Sequence, residues 1–92
     1  MLKTLQSKFE GKNIEVVATG TITASPLHIH KCSILEEIEG NNKFLDIEDI
    51  EGEKYLRIEE NKIKNHEATY VGEEILYLQE GQNLIIGIQG SI

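Results

Sequence analysis

The residues best placed by type and spacing to do chemistry lie in the stretch Pro26-Leu27-His28-Ile29-His30-Lys31-Cys32. Read as part of one extended run from Leu27 to Ile38, it would point His28, His30 and Cys32 to the same side, because side chains alternate along a strand. Positions two apart are then about 7 Å from each other, close enough for two imidazoles to share a metal ion. His28 and Cys32 would lie about 13 Å apart, too far for one coordination shell. A zinc site would therefore need His28, His30 and a remote third ligand, such as His66 or a glutamate. Two ligands fall short of a closed site, so zinc is the one cofactor the sequence brings to mind and the expectation is none. The single cysteine has no orienting partner nearby in sequence and is expected to be a small buried apolar group. The paired acids Glu36-Glu37, Glu59-Glu60 and Glu73-Glu74 cannot form dyads on strands, since neighbours face opposite sides. No phosphate-binding glycine loop is present. No catalytic residue is expected, and the protein is not expected to be an enzyme.

Binding chemistry is better represented. Nine basic residues against sixteen acidic ones give a net charge of −7, which disfavours nucleic acid and anionic membranes as partners. The charge is uneven: residues 1–33 carry +2 and residues 34–92 carry −9. Glu48, Glu51, Glu53, Glu59 and Glu60 are therefore the candidate partner-binding residues, expected to form one acidic patch that engages a basic protein. An inhibitor of bacterial or phage type, covering a basic site on its target, would use such a patch. The alternative is a small-ligand or nucleotide-binding oligomer, with an interface pocket lined by Lys12, Lys31, Arg57 and the histidines.

The elements that must position these residues are mostly strands. Fourteen residues are isoleucine, whose branched Cβ suits a pleated surface better than a helix. Only Pro26 interrupts ladder pairing. Leu2, Leu5 and Phe9 mark one face of a short N-terminal helix, which Gly11 would end. Alternating segments follow at Ile14–Ala18, Leu27–Ile38, Phe44–Ile50, Tyr55–Glu59, Ala68–Val71, Ile75–Leu78 and Leu84–Ile88, parted by turn residues of which Gly90 is the last. Turn signals about every ten residues predict an all-β fold, a small antiparallel barrel or sandwich with a short N-terminal helix, in one domain over residues 1–92. Tyr55, Tyr70 and Tyr77 are expected to pack on the sheet. Val16-Val17 and Ile85-Ile86 put apolar groups on both faces, so a homo-oligomer is expected, with Asn83–Gln89 as an interface or core strand. One cysteine excludes an internal disulfide, no apolar run approaches the roughly 18 residues of a spanning helix, and Met1-Leu2-Lys3-Thr4-Leu5 lacks the apolar region of a secretory signal. A cytoplasmic location is the resulting expectation.

Gly11-Lys12-Asn13-Ile14-Glu15-Val16, ending at Gly20, resembles the first strand of the Sm-like family of small five-stranded barrels. Leu35, Ile38, Glu39, Asn42, Leu45 and Ile47 resemble its second and third strands, and Tyr55-Leu56-Arg57-Ile58-Glu59 its Ile-Arg-Gly strand. The resemblance covers about half of the chain. It implies a ring oligomer whose lumen reads single-stranded RNA, with Asn42 and Arg57 at the contact positions. The net charge and the single arginine oppose that function, because neutralising phosphate supplies most of such affinity.

Overall fold

A computed structural model describes residues 1–89; Gly90, read above as the turn after the last strand, lies outside the described residues. The chain forms two antiparallel sheets and a short helix. The helix α1 spans Leu2–Phe9, and the strands are β1 (Ile14–Thr19), β2 (Leu27–Ile29), β3 (Ser33–Glu39), β4 (Asn42–Glu48), β5 (Lys54–Glu59), β6 (Ile63–Ala68), β7 (Glu74–Leu78) and β8 (Asn83–Ile88). A five-stranded sheet has the order β2-β1-β8-β7-β6, and β3-β4-β5 make a three-stranded meander. The sheets do not close into a barrel; they face each other across a shared core, which is the sandwich arrangement.

That core is the apolar alternation realised. Ile14, Val16, Ile29, Leu76, Leu84 and Ile86 come from the large sheet, and Ile34, Leu45, Ile47 and Ile58 from the small one. Leu5 and Phe9 of α1 are fully buried among them, each contributing about 2 kcal/mol of apolar burial. The helix also bridges the sheets through polar groups. Gln6 Nε2 donates to the Ile34 carbonyl (2.8 Å), the Glu10 carboxylate accepts from the Ile34 N–H (3.0 Å), and Lys8 reaches Glu74 on β7 (2.8 Å). The helix ends at Phe9, and Gly11 follows at φ +77°, where glycine carries no Cβ penalty.

Three expectations change. The Leu27–Ile38 run is two strands in different sheets, because the chain turns at Lys31 (φ +44°), whose N–H donates to the Asn13 side-chain oxygen at 3.0 Å. The strand expected at Ala68–Val71 ends at Ala68, with Ile63–Ala68 as β6 and Thr69–Val71 leading into the hairpin turn. There the Thr69 hydroxyl accepts from the Glu73 N–H, and the Gly72 N–H donates to the Thr69 carbonyl. Tyr70, at the tip of that turn, is fully exposed and does not lie on the sheet. Tyr55 is 41% exposed, and only Tyr77 lies half-buried on a sheet face.

The loop after β1 is pinned to the turn before β8. Gln82 donates from Nε2 to the carbonyls of Thr19 and Ile22 and accepts from the Ile22 N–H. Gly20 sits at φ +107° against the Gly81 carbonyl oxygen, where a methyl group would overlap that atom. No helix among the described residues is long and apolar enough to cross a membrane.

Candidate functional site

The three-stranded sheet concentrates the charge. Residues 33–59 hold nine acidic and three basic residues, a net −6, and the remainder of the chain holds −1. Its outer face is an ion network. Asp46 pairs across β4 and β5 with Arg57 and is completely buried. Arg57 grips it with two parallel bonds, Nε to Oδ1 at 2.8 Å and Nη2 to Oδ2 at 3.0 Å, the bidentate geometry that suits guanidinium and carboxylate. The same guanidinium reaches Glu37 (2.9 Å) and Glu39 (3.0 Å) and lies 4.6 Å over the Phe44 ring. Lys54 bonds to Glu37 and comes within 3.3 Å of Asp46. Arg57 holds the Asp46 carboxyl down at about 2 against the pull of burial, and Asp46 first and then Glu39 push Arg57 itself upward.

At the β4–β5 hairpin the acids lack such partners. Among the described residues no cation pairs with Glu48, Glu51 or Glu53. Asp49 accepts from the N–H groups of Glu51 and Glu53, which holds the loop in shape. The field of these acids is felt by Tyr55, whose phenol is pushed above its ordinary value, chiefly by Glu53 and then by Asp49.

The five candidate acids do not form one patch. Glu48, Glu51 and Glu53 gather at the hairpin, whereas Glu59 closes the far end of β5, five residues beyond Lys54 and so about 17 Å along the strand. Glu60 turns toward Glu36; burial first, and then this neighbouring carboxylate, raise its pKa. The alternation of β5 and the start of a 3₁₀ turn at Glu60 account for the separation.

The ligand trio is divided as well. Lys12 and Lys31 meet where the α1–β1 and β2–β3 loops bond to one another, Cys32 N–H to the Lys12 carbonyl and Lys31 N–H to Asn13. Arg57 is committed to its three carboxylates. Asn42 opens β4 opposite Glu39. For the metal candidates, His28 is exposed on β2 opposite Glu15, His30 is exposed in the bend, and Cys32 is buried with its thiol donating to the Phe9 carbonyl at 3.0 Å. The turn at Lys31 thus breaks the shared face expected of these three. Burial, with Glu10 nearby, pushes the thiol up, away from nucleophilic use. Among the described residues no group of three or more His, Cys, Asp or Glu is placed to hold a metal ion.

Two features escaped sequence reasoning. The first is Glu74, 1% exposed on the core face of β7, where Lys8 Nζ (2.8 Å) and His66 Nδ1 (2.7 Å) meet its carboxylate. An ionised carboxylate only accepts, so Nδ1 carries the proton. Burial pushes Glu74 up, but Lys8 and His66 outweigh it and leave the group below its ordinary value. Consecutive Glu73 and Glu74 do face opposite sides, and the inward one was the signal available.

The second feature is a cleft of about 740 Å³ between the sheets on the side away from α1. Ala18, Leu56, Ile58, Leu78 and Leu84 line it with apolar groups, and Arg57, Glu59, Lys62, Gln79, Glu80 and Gln82 supply polar ones. Its volume falls in the range of roughly 300–1,000 Å³ typical of binding clefts. Comparison with protein-family models, with curated proteins and with solved structures finds no match to this chain.

Proposed function

We propose that the protein is a non-enzymatic binding module whose three-stranded sheet engages a basic surface on a partner protein. The observation that carries this reading is the segregation of charge, −6 on residues 33–59 against −1 elsewhere. Glu48, Glu51 and Glu53 remain available for a partner, whereas Glu37, Glu39 and Asp46 are already neutralised by Arg57 and Lys54. A field of one sign speeds encounter with an oppositely charged surface and penalises wrong partners.

Cross-linking in a lysate of the protein's own host, at about 50 and 300 mM salt, tests the proposal. A partner captured by wild type should be lost at high salt and in the Glu48→Gln/Glu51→Gln/Glu53→Gln variant, and kept by Glu15→Gln/Glu67→Gln/Glu73→Gln, on the other sheet and its β6–β7 turn. Capture indifferent to both salt and the hairpin acids would sink it.

One observation favours a second reading, self-association. On the outer face of the large sheet Val17, Ile85 and Ile75 stand side by side across β1, β8 and β7, a half-buried apolar row with no covering layer among the described residues. Association through it would show as a concentration-dependent mass in sedimentation, abolished by Ile85→Lys.

A further inference from the structure

The four sheet edges are treated differently. An edge strand presents unpaired N–H and C=O groups, and proteins blunt it by shortness, charge, bulges or a cover. In the large sheet, β2 is three residues long, and β6 is bulged between Ile63 and Asn65 and carries exposed Lys64 and Glu67. In the small sheet, α1 covers β3: Gln6 and Glu10 satisfy both backbone groups of Ile34, as a neighbouring strand would. Among the described residues, β5 is the edge strand that lines the apolar cleft.

The backbone direction of β5 follows from Ile34. Because Ile34 turns both groups away from β4, its pairing with Ile47 is a non-hydrogen-bonded one. On β4, Ile47 then bonds toward β5, so Leu56 and Ile58 bond back to β4. Arg57 and Glu59 must direct their N–H and C=O groups outward, to the side of the cleft they line. The Glu59 carbonyl caps the 3₁₀ turn. Among the described residues no group bonds to the Arg57 N–H, the Arg57 C=O or the Glu59 N–H outside the β4–β5 ladder.

The cleft therefore has the form of a missing strand. A chain laid beside β5 would extend the small sheet from three strands to four. Its side chains level with Leu56 and Ile58 would cover Ala18, Leu78 and Leu84 on the facing sheet, and the intervening ones would lie on the outer face beside Arg57 and Glu59, in the field of a sheet whose net charge is −6. We propose that the cleft seats an extended segment of another protein, alternating apolar and basic residues, which adds to β5 as a fourth strand. The proposal rests on the protein-binding reading above and supplies its geometry. A second copy is the poorer occupant, because it would bring another sheet of −6 against the first.

Selection from a displayed library of random linear nonapeptides, followed by amide chemical-shift and hydrogen-exchange mapping on the wild-type protein, provides the test. Enriched peptides should alternate apolar and basic residues and protect the Arg57 and Glu59 amides. They should lose at least 10-fold in affinity when alternate peptide amides are N-methylated, and a comparable factor against Ala18→Leu, which fills the cleft floor. Peptides that bind at Arg57 and Glu59 without basic residues, and without salt dependence, would support strand addition while removing the acidic-surface reading. Peptides that tolerate N-methylation and perturb residues 48–53 alone would overturn strand addition and leave the acidic surface standing. Absence of any enriched peptide would overturn the inference, and so would self-association that protects the same two amides.

Discussion

Asp46 and Glu74 are both carboxylates with essentially no solvent exposure, one in each sheet, and the protein holds them in different ways. Asp46 lies on the outer face of the small sheet, and all of its partners come from that same meander: Arg57 and Lys54 from β5, with Glu37 of β3 sharing them. Glu74 lies on the core face of the large sheet, and its partners arrive from α1 and β6. The first network stiffens one sheet and sets its surface charge. The second ties the N-terminal helix to the sheet that the helix does not otherwise cap. A buried charge thus serves a local purpose where an arginine fork is available, and a long-range one where a lysine and a histidine must converge from separate elements.

The contrast can be broken most forcefully at Asp46. Asp46→Ala should cost about 3 kcal/mol in urea unfolding, since it strips the fork and leaves Arg57 among glutamates alone. Acid should expose the same group next. Its folded pKa of about 2 lies below the ordinary 3.8, so its contribution, about 2 kcal/mol, is fully present above pH 4 and fades as pH falls toward 2. The acid limb of the stability curve should flatten in Asp46→Asn. Glu74→Gln should cost less, about 1–2 kcal/mol, because Lys8 and His66 keep access to water. Its sharper signature is regional: hydrogen exchange should accelerate in α1 and not in β4. Smallest of all, Glu39→Gln should change stability by no more than about 0.5 kcal/mol, the modest scale of an exposed pair. An effect on α1 exchange from Asp46→Ala equal to that from Glu74→Gln would erase the distinction.

Much of the architecture was legible locally. The Leu2, Leu5, Phe9 spacing located the helix, and the alternating runs at Ile14, Phe44, Tyr55, Ile75 and Leu84 each became a strand. The errors came where a side chain from far along the chain intervened. Asn13 stabilises the turn at Lys31 that splits the Leu27–Ile38 run and disperses His28, His30 and Cys32. Strand β6 carries little strand signal because Lys64, Asn65 and Glu67 give it an edge strand's polar composition, and its apolar positions are shifted by the bulge after Ile63. Of the candidate site, the acidity was visible as composition. Its division between the hairpin and the far end of β5 depended on which strand turns where.

By itself, the amino-acid sequence determined that this chain would be built from isoleucine-rich strands with one short helix, acidic through its later two thirds, because those properties reside in side-chain shape and charge. Only the tertiary structure decided that Asp46 meets Arg57, that Lys8 and His66 converge on Glu74, and that β3 is covered while β5 borders an open cleft. Such pairings join residues up to 66 positions apart, and they exist only once two sheets have packed face to face with a helix closing one side. Local propensity sets each strand's pattern; the packing of whole sheets selects which edges and charges are left over for a partner.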